Sequence, residues 1–260
     1  LICSETMPKN FGKNEERTLE YLQKFNREKV LKLLVNTDSP LIFDVGANNG
    51  SSLVEFKKWW PKSKVHCFEP QIECWDELDT LANKFDSVTI NKFALGSKEE
   101  NEKEFFTHDL NSGISGFNKI NTGSKDSIDL SKLADNENKL VEHSKTINHS
   151  RLVNVKRLDN YVCNLEEIER INLLKLDTQG FEIEILKGLD KQLSKVDVII
   201  TELMFYDFYE KSLSFFELES ILRPFNFSLY DINHIAKNPM NGRTDWVDVI
   251  YVNEYKLDKI

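Results

Sequence analysis

Residues 41–52 read LIFDVGANNGSS, and this stretch decides how the rest of the chain is read. Leu41 to Val45 form an apolar run broken by one acid, Asp44, and glycines follow at 46 and 50. Such a pattern predicts a strand that stops at Gly46 and a helix that starts near Ser51. Leu53, Phe56 and Trp60 share a face of that helix, and Pro61 ends it.

A turn of this kind can cradle a ligand, and three ligand classes compete for it. A phosphate loop needs GxxxxGK[ST], but Ser51 follows the second glycine and no lysine is present. A dinucleotide loop needs GxGxxG, and Asn48 stands where its second glycine belongs. Asp44 is also a poor neighbour for an anion. A zwitterion without phosphate fits better. Gly46 lets a ligand approach the backbone closely, and the helix N-terminus at Asn48, Asn49, Ser51 and Ser52 can receive a carboxylate. Asp44 can pair with an ammonium group, directly or through water.

The next strand, KVHCFEP (64–70), closes on Glu69 and Pro70. An acid at that strand end accepts hydrogen bonds from ribose hydroxyls. The strand SVTINKFALG (87–96) ends near Ala94 and Leu95, an apolar wall suited to adenine. An amino-acid tail, a ribose and an adenine together describe S-adenosylmethionine.

Working outward, residues from about Asn14 to Asn36 show helical periodicity and read as an N-terminal helical extension, residues 1–40. Residues 41–260 read as one domain. A polar stretch from about 118 to 150 interrupts it as an excursion, partly helical near Leu130 to His143. INLLKLDTQG (171–180) is apolar throughout, as expected of a strand buried on both faces. VDVIITELM (196–204) is another strand. FSLYDINHI (227–235) and WVDVIYVNEY (246–255) form a terminal pair joined by a loop too short for a crossover, so they are antiparallel. The alternation predicts an α/β three-layer sandwich, its mostly parallel sheet carrying an antiparallel final strand.

The net charge of −9 opposes a general affinity for nucleic acid or anionic membrane. No apolar run is long enough to span a bilayer. The four cysteines show no CxxC and no metal-ligand spacing, which suits reduced thiols and a cytoplasmic location. No metal site is assigned, and the oligomeric state is left open.

FDVGANNG (43–50), FEP (68–70), NKFALG (91–96), VKRLDNYV (155–162), KLDTQGFEIEILKG (175–188), ITELMFYDFYE (200–210) and WVDVIYV (246–252) occur in this order. In that series the chain resembles the FkbM family of S-adenosylmethionine-dependent methyltransferases. The resemblance implies a class I, Rossmann-like methyltransferase fold and methyl transfer, usually to oxygen, often on sugars or small natural products. Many members carry glutamate where this chain has Gln179.

Candidate catalytic residues follow from strand ends. Asp177 closes a buried strand, and Glu202 closes the next. His234, expected in the loop before the last strand, is a third proton acceptor. Asp177 also counts among the cofactor contacts. Gln179, Tyr206 and Tyr209 are candidates for binding the acceptor. A nicotinamide-dependent oxidoreductase and a cofactor-binding homologue without turnover are the competing readings.

Overall fold

The computed structural model describes residues 13–108, 111–124, 147–165, 168–239 and 241–257, and the statements below concern these. The expected helix near Leu130 to His143 lies outside them. The N-terminal periodic stretch forms two helices rather than one, α1 (Asn14–Lys24) and α2 (Arg27–Val35). Phe25 between them is extended, and the Asn26 side chain accepts the Lys29 N–H at 2.9 Å. An asparagine N-cap favours a fresh helix start over continuation. Val30, Leu31, Leu34 and Val35 of α2 are buried against the sheet.

The chain then alternates: β1 (Leu41–Val45), α3 (Ser51–Trp59), β2 (Lys64–Phe68), α4 (Ile72–Ala82), β3 (Val88–Asn91), β4 (Ala94–Leu95) and β5 (Glu100–Thr107). After the polar stretch come β6 (His149–Lys156), α5 (Leu158–Asn164), β7 (Ile171–Leu176), α6 (Glu182–Leu189), β8 (Val196–Met204) and α7 (Phe215–Leu222). β9 (Phe227–Lys237), β10 (Thr244–Asn253) and the short α8 (Glu254–Leu257) complete the described chain.

Seven strands form the main sheet in the order β3-β2-β1-β7-β8-β10-β9. β10 is antiparallel to both β8 and β9, and the other pairings are parallel. Strand order reverses between β1 and β7. In open α/β sheets ligands bind beyond the carboxyl ends of the strands at such a point. This is the Rossmann-like, class I arrangement that the resemblance implied. Alternate residues of the strands serve two cores. Ile42, Leu173, Ile200 and Ile250 pack with α2, α3 and α4. Phe43, Leu174, Ile199 and Val249 pack with α5, α6 and α7.

The expected third strand divides. Val88–Asn91 joins the main sheet, while Ala94–Leu95 turns away into a small second sheet, β4-β6-β5. That sheet sits against α6 through Gly188, where a Cβ would lie 2.0 Å from the Gly96 carbonyl oxygen. No helix among the described residues is long and apolar enough to cross a membrane.

Candidate active site

The cleft begins at the turn after β1. Gly46 has φ +78°, and a Cβ there would lie 1.9 Å from the Asp177 carbonyl oxygen. Only glycine lets the β1 and β7 ends approach this closely. The Gly46 N–H donates to the Phe68 carbonyl (3.0 Å), which fastens the turn to the end of β2. Residues brought together around the resulting cleft include Gly46, Asn48, Glu69, Pro70, Ala94, Leu95, Asp177 and Gln179. The space it encloses is about 580 Å³ when the open mouth is counted.

Glu69 is 2% exposed. Its two carboxylate oxygens accept the backbone N–H groups of Asn48 and Gln71, each at 2.8 Å. Burial raises its pKa to about 7, opposed by those hydrogen bonds. Each oxygen keeps a second lone pair for a ligand.

The expected contacts from Asp44, Asn49, Ser51 and Ser52 are placed differently. Asp44 is fully buried beneath the cleft. It lies beside Lys175 in the β1–β7 register, with Oδ1 3.3 Å from that ammonium. Burial raises its pKa, and Lys175 opposes the shift. Asn49, in the turn before α3, accepts the Ser51 N–H and hydroxyl on its Oδ1. Asn49, Ser51 and Ser52 are not among the residues lining the cleft.

At the β7 end, Asp177 is held on both oxygens. Oδ1 accepts Gln179 Nε2 at 2.9 Å, and Oδ2 lies 3.2 Å from Lys175 Nζ. Its side chain is nonetheless 42% exposed. Gln179 sits at φ +58°, an uncommon backbone state for a side chain of its size. Its carbonyl accepts Asn118 Nδ2 (3.2 Å), and its Oε1 lies 2.7 Å from the Tyr209 hydroxyl. That hydroxyl is also 2.9 Å from the Ile114 carbonyl, so its single proton serves one acceptor at a time. Glu182 fixes the same loop from below: its Oε1 accepts the Thr178 N–H (2.8 Å) and hydroxyl (3.0 Å). Burial raises the Glu182 pKa.

Glu202 lies near the end of the next strand, beside Asp248 in the β8–β10 register, and is not among the residues lining the cleft. Burial pushes its pKa to about 8, helped by the charges of Asp177, Asp248 and Glu182. His234 is not a loop residue. It belongs to β9 because the strand runs on to Lys237, and it is exposed at the sheet edge. Its charge is felt by Asp248, but it does not line the cleft. Tyr206 and Tyr209 are buried with Ile120 and Phe208 in a small separate core behind the Gln179 loop.

Sequence reasoning missed the cover of the cleft. Residues 111–121 cross the strand ends as a strap. Ser112 donates its hydroxyl to Asn48 Oδ1 (3.0 Å), and its carbonyl accepts Gln71 Nε2 (3.1 Å). Farther along, the Asn121 N–H donates to the Phe208 carbonyl, and the Glu210 N–H to that of Lys119. Ser112, Gly113, Ser115 and Phe117 line the cleft from this side. The NSGISGF string (111–117), two glycines and an aromatic inside a polar run, was the available signal. Glu182 and Lys175 were legible only as motif letters, without partners.

These residues fit a nucleoside with an amino-acid tail. The Gly46 turn leaves room at the backbone, Glu69 retains acceptor capacity, and Phe68, Leu95, Phe105 and Phe117 supply an apolar wall.

The methyltransferase FkbM domain matches residues 44–229. The chain is 26% identical over 187 residues to the 2-O-methyltransferase NoeI of Sinorhizobium fredii, covering 71% of each protein. It is 24% identical over 169 residues to Methyltransferase 1 of Beauveria bassiana, covering 64% of this chain and 65% of that one. A methyltransferase FkbM from Methylobacillus flagellatus of known structure aligns over 83% of this chain and 44% of its own length, with 16% identity and a TM-score of 0.47. The family match spans well over half of the chain, so the protein belongs to the FkbM family of S-adenosylmethionine-dependent methyltransferases.

Proposed function

We propose that the protein methylates a hydroxyl of a sugar, a glycan or another small hydroxylated acceptor. The observation that carries this reading is the pairing of acids at adjacent strand ends. Asp177 is clamped at the cleft, and Glu202 beside it has a proton affinity raised to about pH 8. An alcohol is a weak nucleophile and needs a base, and a positioned base contributes roughly 10²- to 10⁴-fold. A neutral amine acceptor needs none. The 2-O-methyltransferase named among the relatives supports an oxygen acceptor.

Gly46, Asn48, Glu69, Pro70, Ala94, Leu95 and Asp177 would hold S-adenosylmethionine, Asn49, Ser51 and Ser52 acting through the turn they stiffen. When bound, the cofactor supplies an electrophilic methyl group on a sulfonium. Glu69 orients the ribose. Asp177 fixes the tail end of the cofactor and faces the acceptor. Glu202 takes the hydroxyl proton. Gln179, with Tyr209 and Tyr206 behind it, shapes the acceptor side. Holding both partners in line supplies roughly 7–11 kcal/mol of the barrier reduction. His234 is exposed on the edge strand β9, away from Asp177, and is given no proton-transfer step.

The test is transfer of labelled methyl from S-adenosylmethionine to a panel of methyl glycosides and simple polyols, with aliphatic amines alongside. Ether formation on a glycoside, lost in Glu202→Gln, is expected. Labelling of amines alone would overturn the oxygen assignment.

A further inference from the structure

Lys175 carries a charge in a place where a charge must be explained. It is 7% exposed, on a strand buried on both faces. Its ammonium stands 3.3 Å from Asp44 Oδ1 and 3.2 Å from Asp177 Oδ2. Asp44 accepts no hydrogen bond among the described residues, so this ammonium is the close charge that offsets its burial. Asp177, in contrast, is half open to solvent and lines the cleft. One lysine therefore ties an acid that cannot reach a ligand to an acid that can. The other charges coupled to this cluster are Arg27 on α2, Glu69 after β2, Glu182 on α6, Glu202 on β8, His234 on β9 and Asp248 on β10.

The sequence pattern alone suggests that Asp44 greets the ammonium of the cofactor. In the fold that position is already taken. We propose that Lys175 is a positioning residue: it occupies the place at Asp44 that a ligand's ammonium would otherwise fill, and holds the Asp177 carboxylate where it meets the amino-acid end of the cofactor. Asp44 acts on the site through Lys175, and Gln179 completes the clamp from the other oxygen. This inference rests on the reading that the cleft takes S-adenosylmethionine with its tail toward Asp177.

Two probes separate the possibilities. S-adenosylhomocysteine carries the amino-acid tail, and 5′-methylthioadenosine is the same thioether nucleoside without it. Calorimetric affinities for both are measured on the full chain, on Asp44→Asn, on Lys175→Met and on the double variant. The double variant removes both charges together, so it leaves no lone buried ion if Lys175→Met fails to fold. The proposal predicts that Lys175→Met and Asp44→Asn each weaken S-adenosylhomocysteine about tenfold, leave 5′-methylthioadenosine unchanged, and do not add in the double variant. Should Asp44 contact the tail itself, removing the competing lysine would tighten S-adenosylhomocysteine, and the proposal would fall. Equal losses for both probes would reduce Lys175 to a folding element and also overturn it. If the unaltered chain binds 5′-methylthioadenosine but not S-adenosylhomocysteine, the tail assignment fails and takes the proposal with it. Binding of neither probe would remove the cofactor reading on which it rests.

Discussion

Individual side chains carry the chemistry here, and their surroundings decide their roles. Glu202 and Asp177 are both strand-end acids, yet one is buried among like charges and the other is clamped and open. Environments that separate two acids in this way separate their tasks. With an acceptor in hand, kcat/KM is expected to rise with pH through about 8 as Glu202 loses its proton. Glu202→Gln should remove that limb and lower turnover by roughly 10²-fold or more. An unchanged profile in the variant would clear Glu202 of the base role. The strand-end positions of Asp177, Glu202 and Glu69 were legible from the sequence, because a strand end is visible in the apolar pattern. Asp44 was misplaced because its partner, Lys175, lies 131 positions away in the chain, and nothing local announces the pairing. The opposite held for Gly46, whose requirement for glycine is visible in the motif and becomes a contact with the Asp177 carbonyl.

Among the elements, the strap of residues 111–121 has the most consequence for ligand traffic. It is stitched to the Asn48 turn at one end and to the loop after β8 at the other. Binding of S-adenosylhomocysteine should therefore slow amide exchange at Asn121 and Glu210 as well as at the turn after β1. Tyr209→Phe removes a hydrogen bond worth roughly 0.5–1.5 kcal/mol and should speed exchange at those two amides. No change there, with protection confined to residues near Glu69, would show that the strap does not respond to the ligand. The sequence marked this region as polar and began the excursion at about 118, seven residues late, because a covering loop has no periodicity to read. The break between α1 and α2 was missed for a related reason: the apolar face continues across it, and only the extended Phe25 and the N-cap at Asn26 mark it. A chain lacking residues 1–25, which keeps the Asn26 cap of α2, should keep its fold. Removing residues through 36 takes away the buried Val30, Leu31, Leu34 and Val35, each worth about 1.5–3 kcal/mol, bares the sheet face they cover, and should unfold it. Circular dichroism melts of the two truncations check this.

Across the whole molecule, the mostly parallel sheet with its one reversed strand was the most legible property. Continuous apolar strands alternating with amphipathic helices admit few topologies, and the short loop between β9 and β10 forces the one reversal. The second sheet was not legible, since two-residue β4 finds its partner beyond the polar stretch. The buried acids also set a global property. Glu69 and Glu202 have folded pKa values of about 7 and about 8, above the ordinary 4.5. A raised acid binds its proton more tightly when folded, so its contribution is complete below the unfolded value and is lost as pH rises through the folded one. Burial shifts Asp44, Glu182 and Asp248 the same way. Between pH 6.5 and 8.5 the melting temperature should fall, and Glu202→Gln should flatten the decline. A melting temperature that climbs over this interval would contradict the burial of these carboxyls.

One titration bears on the account most directly: S-adenosylhomocysteine added to the unaltered chain and to Glu69→Ala in a calorimeter. A single site, weakened at least tenfold in a variant that still melts cooperatively, is the predicted result. No binding to the unaltered chain, or equal affinity in both proteins, would contradict the assignment of the cleft.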